Sequence, residues 1–283
     1  MKSQNADTIL FLTDFSEVSM HALYFAIDFC KKADYKLLLL NVVDIPFTDV
    51  IEEEKQEIDL VTHDLIAHSD WKLTQLKNQL KKENDFEAES ATYTGETTEA
   101  IIRAVTNFSI KKIIMGTKEN KEVCFKSTSF LIVKKCLVPL LTISVESPIT
   151  EINNILFPFN EKTITLKKVD EVIKLAELFN SKIHLLGVSE GNTPEKINII
   201  TNQMMHIKSL FDEAKIDNEV HFYANPDYAE AILEYCNLTE VDLISIANNH
   251  TNTLKANLSL STTKTIIKNA HVPVLTIPVW QGI

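Results

Sequence analysis

Two hydrophobic stretches of the chain each run into polar side chains that could hydrogen-bond a ligand. Ile9–Leu12 is followed by Thr13 and Asp14, and Ile155–Phe159 is followed by Asn160. A carboxylate accepts hydrogen bonds, whereas an amide both donates and accepts them, so the two positions differ in chemistry. Because a helical pattern follows each stretch, we predict two buried strands that deliver Asp14 and Asn160 to the rim of a sheet.

The elements that position these side chains belong to an internal repeat. Ile9–Asp44 aligns with Ile155–Glu190 without a gap, and Val138–Val145 aligns with Val272–Val279. Two long matches in the same order indicate a duplicated domain. In each half strands alternate with helices, which is typical of a parallel sheet with right-handed crossovers.

We therefore predict an α/β fold of two doubly wound, Rossmann-like domains in tandem, each with a five-stranded parallel sheet. Residues 1–146 would form the N-terminal domain and residues 151–283 the C-terminal domain, with Ser147–Thr150 as the linker. A strand over Lys112–Met115 is predicted to end at Gly116, where a glycine usually turns the chain. A helix break is expected near Ser69 and Asp70, and Thr97 or Thr98 is expected to cap the next helix. Two further helices are expected to start at Ser127 and Ser261.

Composition argues against two classes of partner. The net charge of the 283-residue chain is −11, and a phosphate backbone requires a basic face, so we expect no nucleic acid partner. No apolar run approaches the roughly 20 residues that span a bilayer, and Met1–Asp7 contains no apolar signal core. We therefore expect no membrane partner and a cytoplasmic location.

Neither the cysteines nor the histidines form a recognisable catalytic or metal motif. Cys124 lies in a polar loop, where a redox role stays open. His63 and His68 are five residues apart, which places them on different helical faces, so we expect no metal site. No known nucleophile, metalloprotease or P-loop motif is present, so we expect no enzyme. Three cysteines sit in helical patterns that favour buried thiols: Cys30, Cys136 and Cys236.

The order of motifs along each half resembles the universal stress protein family. In the first half the motifs are Thr13–Ser16 after strand one, Asn41–Val43 at the end of strand two, Ile113–Thr117, and a Ser-led helix before Val138–Leu141. This order covers nearly the whole chain, twice, so the chain is identified as a tandem member of the family.

The resemblance also implies how the last strands are paired. Leu140–Val145 and Val274–Val279 would be exposed sheet edges if nothing covered them. Since such edges pair between subunits in this family, we expect the two halves to pair within one chain as an intramolecular pseudo-dimer. A further homodimer stays open.

A ligand site in the first half is the next implication of the resemblance. Nucleotide-binding members hold ATP at the C-terminal ends of strands one, two and four, which is also where open α/β sheets bind ligands. There the Asp after strand one binds adenine, the end of strand two contacts the base through its backbone, and a Gly-x2-Gly-x9-Gly-Ser/Thr loop holds the phosphates. Carried over to this sequence, the expected cofactor-binding residues are Thr13, Asp14, Val42, Val43, Met115, Gly116, Ser127 and Thr128.

Both phosphate loops depart from the family pattern. In the first, Glu119 and Lys126 stand where the second and third glycines belong, and Glu119 and Glu122 add negative charge where phosphate would lie. In the second half Asn160 replaces the Asp, and a leucine side chain would occupy space that phosphate needs. The residues at the three glycine positions there are Ala247, His250 and Leu260, with Ser261 retained. Leu12 and Leu260 are the candidates to fill a pocket that lacks its glycines.

Two functions follow from these residues. The first is a stress-response protein that binds an adenine nucleotide, ATP or AMP, in the N-terminal domain, while the C-terminal domain is structural. The alternative is an interaction module with an unknown protein partner, in which both phosphate loops are degenerate and Asp14 only caps the next helix. Slow ATP hydrolysis, a trait of some family members, stays open, although no residue is identified as its base.

Overall fold

The computed structural model describes residues 7–44, 55–117, 128–148, 151–160, 166–189, 191, 193–249 and 254–279, with only the backbone at 55–58, 249 and 254–259. Several residues named above, among them Glu119, Glu122, Cys124, Lys126, Ser127 and His250, lie outside these ranges. The chain divides into two compact units. One comprises Met1–Gly116 with Phe125–Lys135, and the other Thr117–Cys124 with Cys136–Ile283.

The first unit is a parallel sheet with helical crossovers. Its strands have the order β3-β2-β1-β4, and the pairs β1–β2, β1–β4 and β2–β3 are all parallel. In chain order its elements are β1 Thr8–Leu12, α1 Glu17–Ala33, β2 Lys36–Val43, α2 Lys55–Asn84, β3 Glu89–Thr94, α3 Thr97–Asn107, β4 Ile110–Thr117 and α4 Thr128–Lys135.

The second unit contains the strands of the second repeat together with the last strand of the first. Its strand order is β5-β10-β9-β6-β7-β8, in which only the β5–β10 pairing is antiparallel among the pairings described. Its elements are β5 Leu140–Ser144, β6 Asn154–Phe159, α5 Leu166–Phe179, β7 Lys182–Ser189, α6 Pro194–Glu213, β8 Asn218–Ala224, α7 Tyr228–Leu238, β9 Leu243–Asn249, α8 Leu254–Asn269 and β10 Val274–Val279.

The strand pairing predicted for the ends of the two repeats is confirmed. Val274 pairs with Thr142, and Thr276 pairs with Leu140, so strands β5 and β10 cover one another's edges. The hydroxyl of Thr142 also donates to the carbonyl of Val274 over 3.3 Å. The expected α/β fold with a mostly parallel sheet and two repeats of five strands is confirmed as well.

The core lies along the central strands, which are buried on both faces as expected for parallel sheets covered by helices. Ile9, Leu10 and Phe11 of β1 are completely buried, and so are their counterparts Ile155, Leu156 and Phe157 of β6. No helix in the described ranges has the length and apolar character that crossing a membrane requires. The three cysteines expected to be buried, Cys30, Cys136 and Cys236, are buried.

Four local predictions about element ends are wrong. Helix α2 is continuous through Ser69, because that side chain is buried and hydrogen-bonds to Asn41 of β2 instead of to the backbone of its own helix. Glu96 caps α3 in place of Thr97 or Thr98, since its carboxylate accepts from the N–H of Glu99. Strand β4 continues past Gly116 to Thr117, and α8 begins at Leu254, which leaves Ser261 inside the helix.

Candidate functional site

The end of β1 is held in place by hydrogen bonds to β2 and α1. The N–H of Thr13 donates to the carbonyl of Leu40 over 3.0 Å, and the carbonyl of Thr13 accepts from the side-chain amide of Asn41 over 2.7 Å. The hydroxyl of buried Thr13 lies 3.1 Å from that of Ser19. Thr13 therefore fixes the rim, and its own side chain is turned into the protein.

Asp14 is exposed at this rim, directly before α1. Its Oδ1 accepts hydrogen bonds from the N–H of Ser16, over 3.0 Å, and from the Ser16 hydroxyl. Ser16 is the N-cap of the helix and accepts from the N–H of Ser19. Asp14 thus orients the capping residue without capping the helix itself, and its carboxylate remains accessible to solvent.

Backbone strain accompanies this arrangement. Phe15, between Asp14 and the cap, has a φ of 61°, which is the left-handed region that bulky residues rarely adopt. Such strain costs on the order of 1–3 kcal/mol and is found preferentially at functional sites. The Nζ of Lys72 lies 5.1 Å from the centroid of the Phe15 ring, so α2 supplies a positive charge beside the rim.

A polar network that sequence reasoning missed joins β2, β3 and α2 next to Thr13. The hydroxyl of buried Ser69 donates to Oδ1 of Asn41 over 2.8 Å and lies 2.9 Å from the hydroxyl of Thr92. Thr92 in turn donates to Asp70 over 2.6 Å. The network orients the Asn41 amide toward the carbonyl of Thr13. Its signal in the sequence was the polar Ser69-Asp70 pair, whose role depends on residues far away in the chain.

The end of β2 is half-buried where the base contact was expected. Val42 and Val43 both retain partial exposure. The carbonyl of Val43 accepts from the N–H of Gly95 over 3.2 Å, and a carbonyl oxygen has a second lone pair for a ligand. Gly95 has a φ of 105°, a conformation for which glycine is suited.

The fourth strand contributes Met115 and Gly116, which are also half-buried. A Cβ on Gly116 would lie 2.6 Å from the carbonyl oxygen of Val18 and 2.9 Å from its carbonyl carbon. The first turn of α1 therefore packs directly on this glycine, and packing alone requires it. Thr128, half-buried, is the first residue of α4. The seven described residues of the expected set thus lie in the first unit, and Ser127 falls outside the described ranges.

The matching rim of the second half is closed by its own side chains. Asn160 is buried, as are Gly187, Val188 and Ser189, which are the counterparts of Asn41, Val42 and Val43. A Cβ on Gly187 would lie 2.8 Å from Cγ2 of Ile200 and 3.3 Å from Cζ of Phe159. Phe159 is the counterpart of Thr13, so a large ring replaces a small side chain and the glycine makes room for it. Ala247 and Leu260 of this half are also buried, and so is Leu12 in the first half.

A buried lysine reinforces this closure. Lys168 of α5 occupies the position of Ala22 in the repeat and is almost completely buried. Its Nζ donates to the carbonyl of Pro158 over 2.5 Å and lies 3.8 Å from the centroid of the Phe157 ring. Burial lowers the pKa of Lys168 well below its ordinary range. Sequence reasoning missed this residue, although a lysine on the apolar face of a helix is a detectable signal.

A second cluster missed from the sequence lies on strands β7 and β8. Nδ1 of His184 is 3.2 Å from Oε1 of Glu219, and Nε2 of His221 is 2.9 Å from the same oxygen. Lys182 also binds the Glu219 carboxylate, and the hydrogen bonds from Lys182 and His221 lower the pKa of Glu219 to about 2. Burial lowers the pKa of His184. No metal site was expected from the sequence, yet these three side chains are of metal-binding type.

Comparisons with known proteins agree on one family. The family model described as the universal stress protein family matches twice, over residues 5–144 and 151–278. A search of curated proteins finds no match.

Solved structures share this fold. A universal stress protein from Archaeoglobus fulgidus DSM 4304 is 18% identical, covers 96% of this chain and 98% of its own, and has a TM-score of 0.75. A functionally unknown protein from Pseudomonas aeruginosa PAO1 is 12% identical, with coverages of 97% and 93% and a TM-score of 0.64. Two matched copies of one family model span nearly all of the sequence, and the chain belongs to the universal stress protein family as a tandem member.

Proposed function

We propose that this is a cytoplasmic stress-response protein in which residues 1–146 bind an adenine nucleotide, ATP or AMP, and residues 151–283 form a structural repeat. The observation that best supports this proposal is the difference in solvent exposure between the matching rims of the two halves. Asp14 is exposed and Val42 and Val43 are half-buried, whereas the counterparts of all three are buried in the second half. A ligand can therefore reach the rim of the first half, while side chains already occupy the second.

The chemistry of the open rim suits a purine base. The exposed carboxylate of Asp14 can accept a hydrogen bond from an exocyclic amine. The carbonyl of Val43 keeps acceptor capacity beside its bond to Gly95, and the Val42 and Val43 side chains offer apolar surface. Thr13 and Asn41 hold these groups in register before a ligand arrives, which reduces the entropy lost on binding.

The phosphates should contribute less than the base. The close contact with Val18 is sufficient to explain why residue 116 is a glycine. Glu119 and Lys126 stand where further glycines would admit phosphate. We therefore expect ATP and AMP to bind with similar affinity. The function that we propose is binding without appreciable turnover.

One observation favours the alternative, an interaction module without a nucleotide. Asp14 already accepts two hydrogen bonds from Ser16, and Val43 already accepts one from Gly95. These groups are satisfied within the chain and do not require a ligand. In that case the rim would serve only to cap α1 and to join β2 to the turn after β3.

Retention of nucleotide by the purified protein separates these two functions. Undialysed protein is denatured, the chain is removed, and the supernatant is analysed by ion-exchange chromatography with ultraviolet detection. The proposal predicts an adenine nucleotide that is lost in Asp14→Ala and retained in Glu17→Ala, which removes a neighbouring exposed carboxylate. An empty supernatant, followed by no heat in titrations with ATP and AMP, would leave the interaction module.

A further inference from the structure

We propose that His184, Glu219 and His221 form a binding site for one divalent transition-metal ion of the zinc class. The site lies on strands β7 and β8 and is independent of the nucleotide function proposed above. The side-chain ligand atoms of the three residues all lie within 4.8 Å of one another.

The spacing of these atoms approaches that of a tetrahedral metal centre. With metal–ligand bonds of roughly 2.0–2.1 Å, neighbouring ligand atoms around zinc are about 3.3 Å apart. Oε1 of Glu219 lies 3.2 Å from Nδ1 of His184 and 2.9 Å from Nε2 of His221. Both distances are within a few tenths of an ångström of that value, and the nitrogens that the two histidines offer lie within 4.8 Å of each other, so side-chain adjustment could admit an ion.

Strand register brings the three ligands together. His184 is paired with Glu219 across the parallel β7–β8 ladder. His221 is two residues beyond Glu219 on the same strand, so both side chains emerge on one face of the sheet. His184 is nearly buried, whereas Glu219 and His221 are about one-third exposed, which gives an ion an entry path from solvent.

The surrounding residues orient the ligands as metal sites require. Nε2 of His184 lies 3.2 Å from Oδ1 of Asn154. When Nε2 donates to this amide oxygen, Nδ1 keeps a lone pair for an ion held between the three side chains. Without an ion, the Tyr235 hydroxyl, 3.0 Å from Nδ1, donates to that lone pair.

Three protein ligands leave one tetrahedral position for water, and the local charge is compatible with a cation. Lys182 forms an ion pair with Glu219, and its positive charge opposes the ion. The carboxylates of Asp217 and Asp242 act electrostatically on Lys182 and His184 and offset that charge. His184 belongs to the second unit, whereas the residues proposed to bind the nucleotide belong to the first. The metal and the nucleotide would thus use different residues.

Cobalt titration of the full chain, prepared without a histidine tag and freed of metal by a chelator, tests this proposal. Tetrahedral Co²⁺ absorbs visible light strongly, and Zn²⁺ added afterwards should bleach the band. The expected result is one equivalent of Co²⁺ per chain and a higher melting temperature with Zn²⁺.

Matched variants locate the site. His221→Ala and Glu219→Gln should each lower the affinity by at least about tenfold and abolish the melting shift. His206→Ala, which removes an exposed histidine of α6, should change neither. Circular dichroism of each variant reports folding, and Glu219→Gln retains the shape of the side chain. The proposal is overturned if the wild-type chain gives no band, or if the band survives in both cluster variants.

Discussion

Phe159 packs over Gly187, with its Cζ only 3.3 Å from where a Cβ on that glycine would lie. In the first half the counterparts of this pair are Thr13 and Asn41, which bond to one another through the amide and the carbonyl. The same two positions of the repeat therefore build a polar rim in one half and an apolar plug in the other. This exchange is the reason for proposing a ligand site in the first half alone.

Replacing Phe159, the side chain that fills this position in the second half, should destabilise the protein. Phe159→Thr introduces the residue type that the first half has at this position, but it leaves a cavity beside Ile200 and Met204. Because Phe159 is completely buried, we expect the free energy of unfolding to fall by about 3–5 kcal/mol, measured by chemical denaturation. Phe222→Thr, at a more exposed position of β8, should cost much less. Equal losses in the two variants would contradict the plug.

Gly116 should be intolerant of a side chain for reasons of packing. Gly116→Ala places a methyl group against the backbone of Val18, which cannot rotate away, so we expect a loss of about 1–3 kcal/mol in unfolding free energy. The matched control is Gly191→Ala, where a Cβ meets nothing within 4 Å. If both variants unfold at the same denaturant concentration as the wild-type chain, the close contact with Val18 is refuted.

The Ser69 network should stabilise the first half from within an unbroken helix. Ser69→Ala leaves the side-chain oxygen of half-buried Asn41 without its Ser69 donor and should cost about 1–3 kcal/mol, while the helical circular dichroism signal is unchanged. Thr74→Ala, in the same helix, removes only an exposed hydroxyl bonded to the carbonyl of Asp70 and should be nearly neutral. A neutral Ser69→Ala would mean that the network contributes nothing to stability.

Lys168 should give the chain a distinctive pH dependence. Its pKa is lower in the folded chain than in the unfolded chain, so between those two values the unfolded chain holds more protons. Stability therefore rises with pH across that interval.

Lys168→Met should remove this contribution. Chemical denaturation from about pH 7 to pH 10 should show the wild-type chain gaining stability relative to Lys168→Met as pH rises. Lys167→Met, an exposed neighbour, serves as the control and should follow the wild-type curve. A difference between wild type and Lys168→Met that stays constant with pH would disprove the depressed pKa.

The fold could be predicted from the sequence because its signals are local and repeated. Hydrophobic strands such as Ile9–Leu12 and Ile155–Phe159 recur at matching positions, and alternation with helices constrains the sheet. The pairing of β5 with β10 followed from the resemblance, since both strands would otherwise be bare edges.

Other features depend on contacts between distant residues and carry little local signal. The need for glycine at Gly116 comes from Val18, almost a hundred positions earlier in the chain. In the sequence alone, the polar Ser69 suggests a helix break. Its hydrogen-bond partners, Asn41 and Thr92, lie far away in the chain. The cluster of His184, Glu219 and His221 exists only through the β7–β8 register, which periodicity alone does not specify.

The most direct test of the central claim is the number of nucleotides that one chain binds. Isothermal titration with AMP and with ATP should give one equivalent per chain for both ligands. Asp14→Ala should weaken binding by at least about tenfold, whereas Asn160→Ala, at the matching position of the closed half, should leave it unchanged. Two equivalents per chain, or a single site that survives Asp14→Ala, would contradict a ligand site confined to the open rim of the first half.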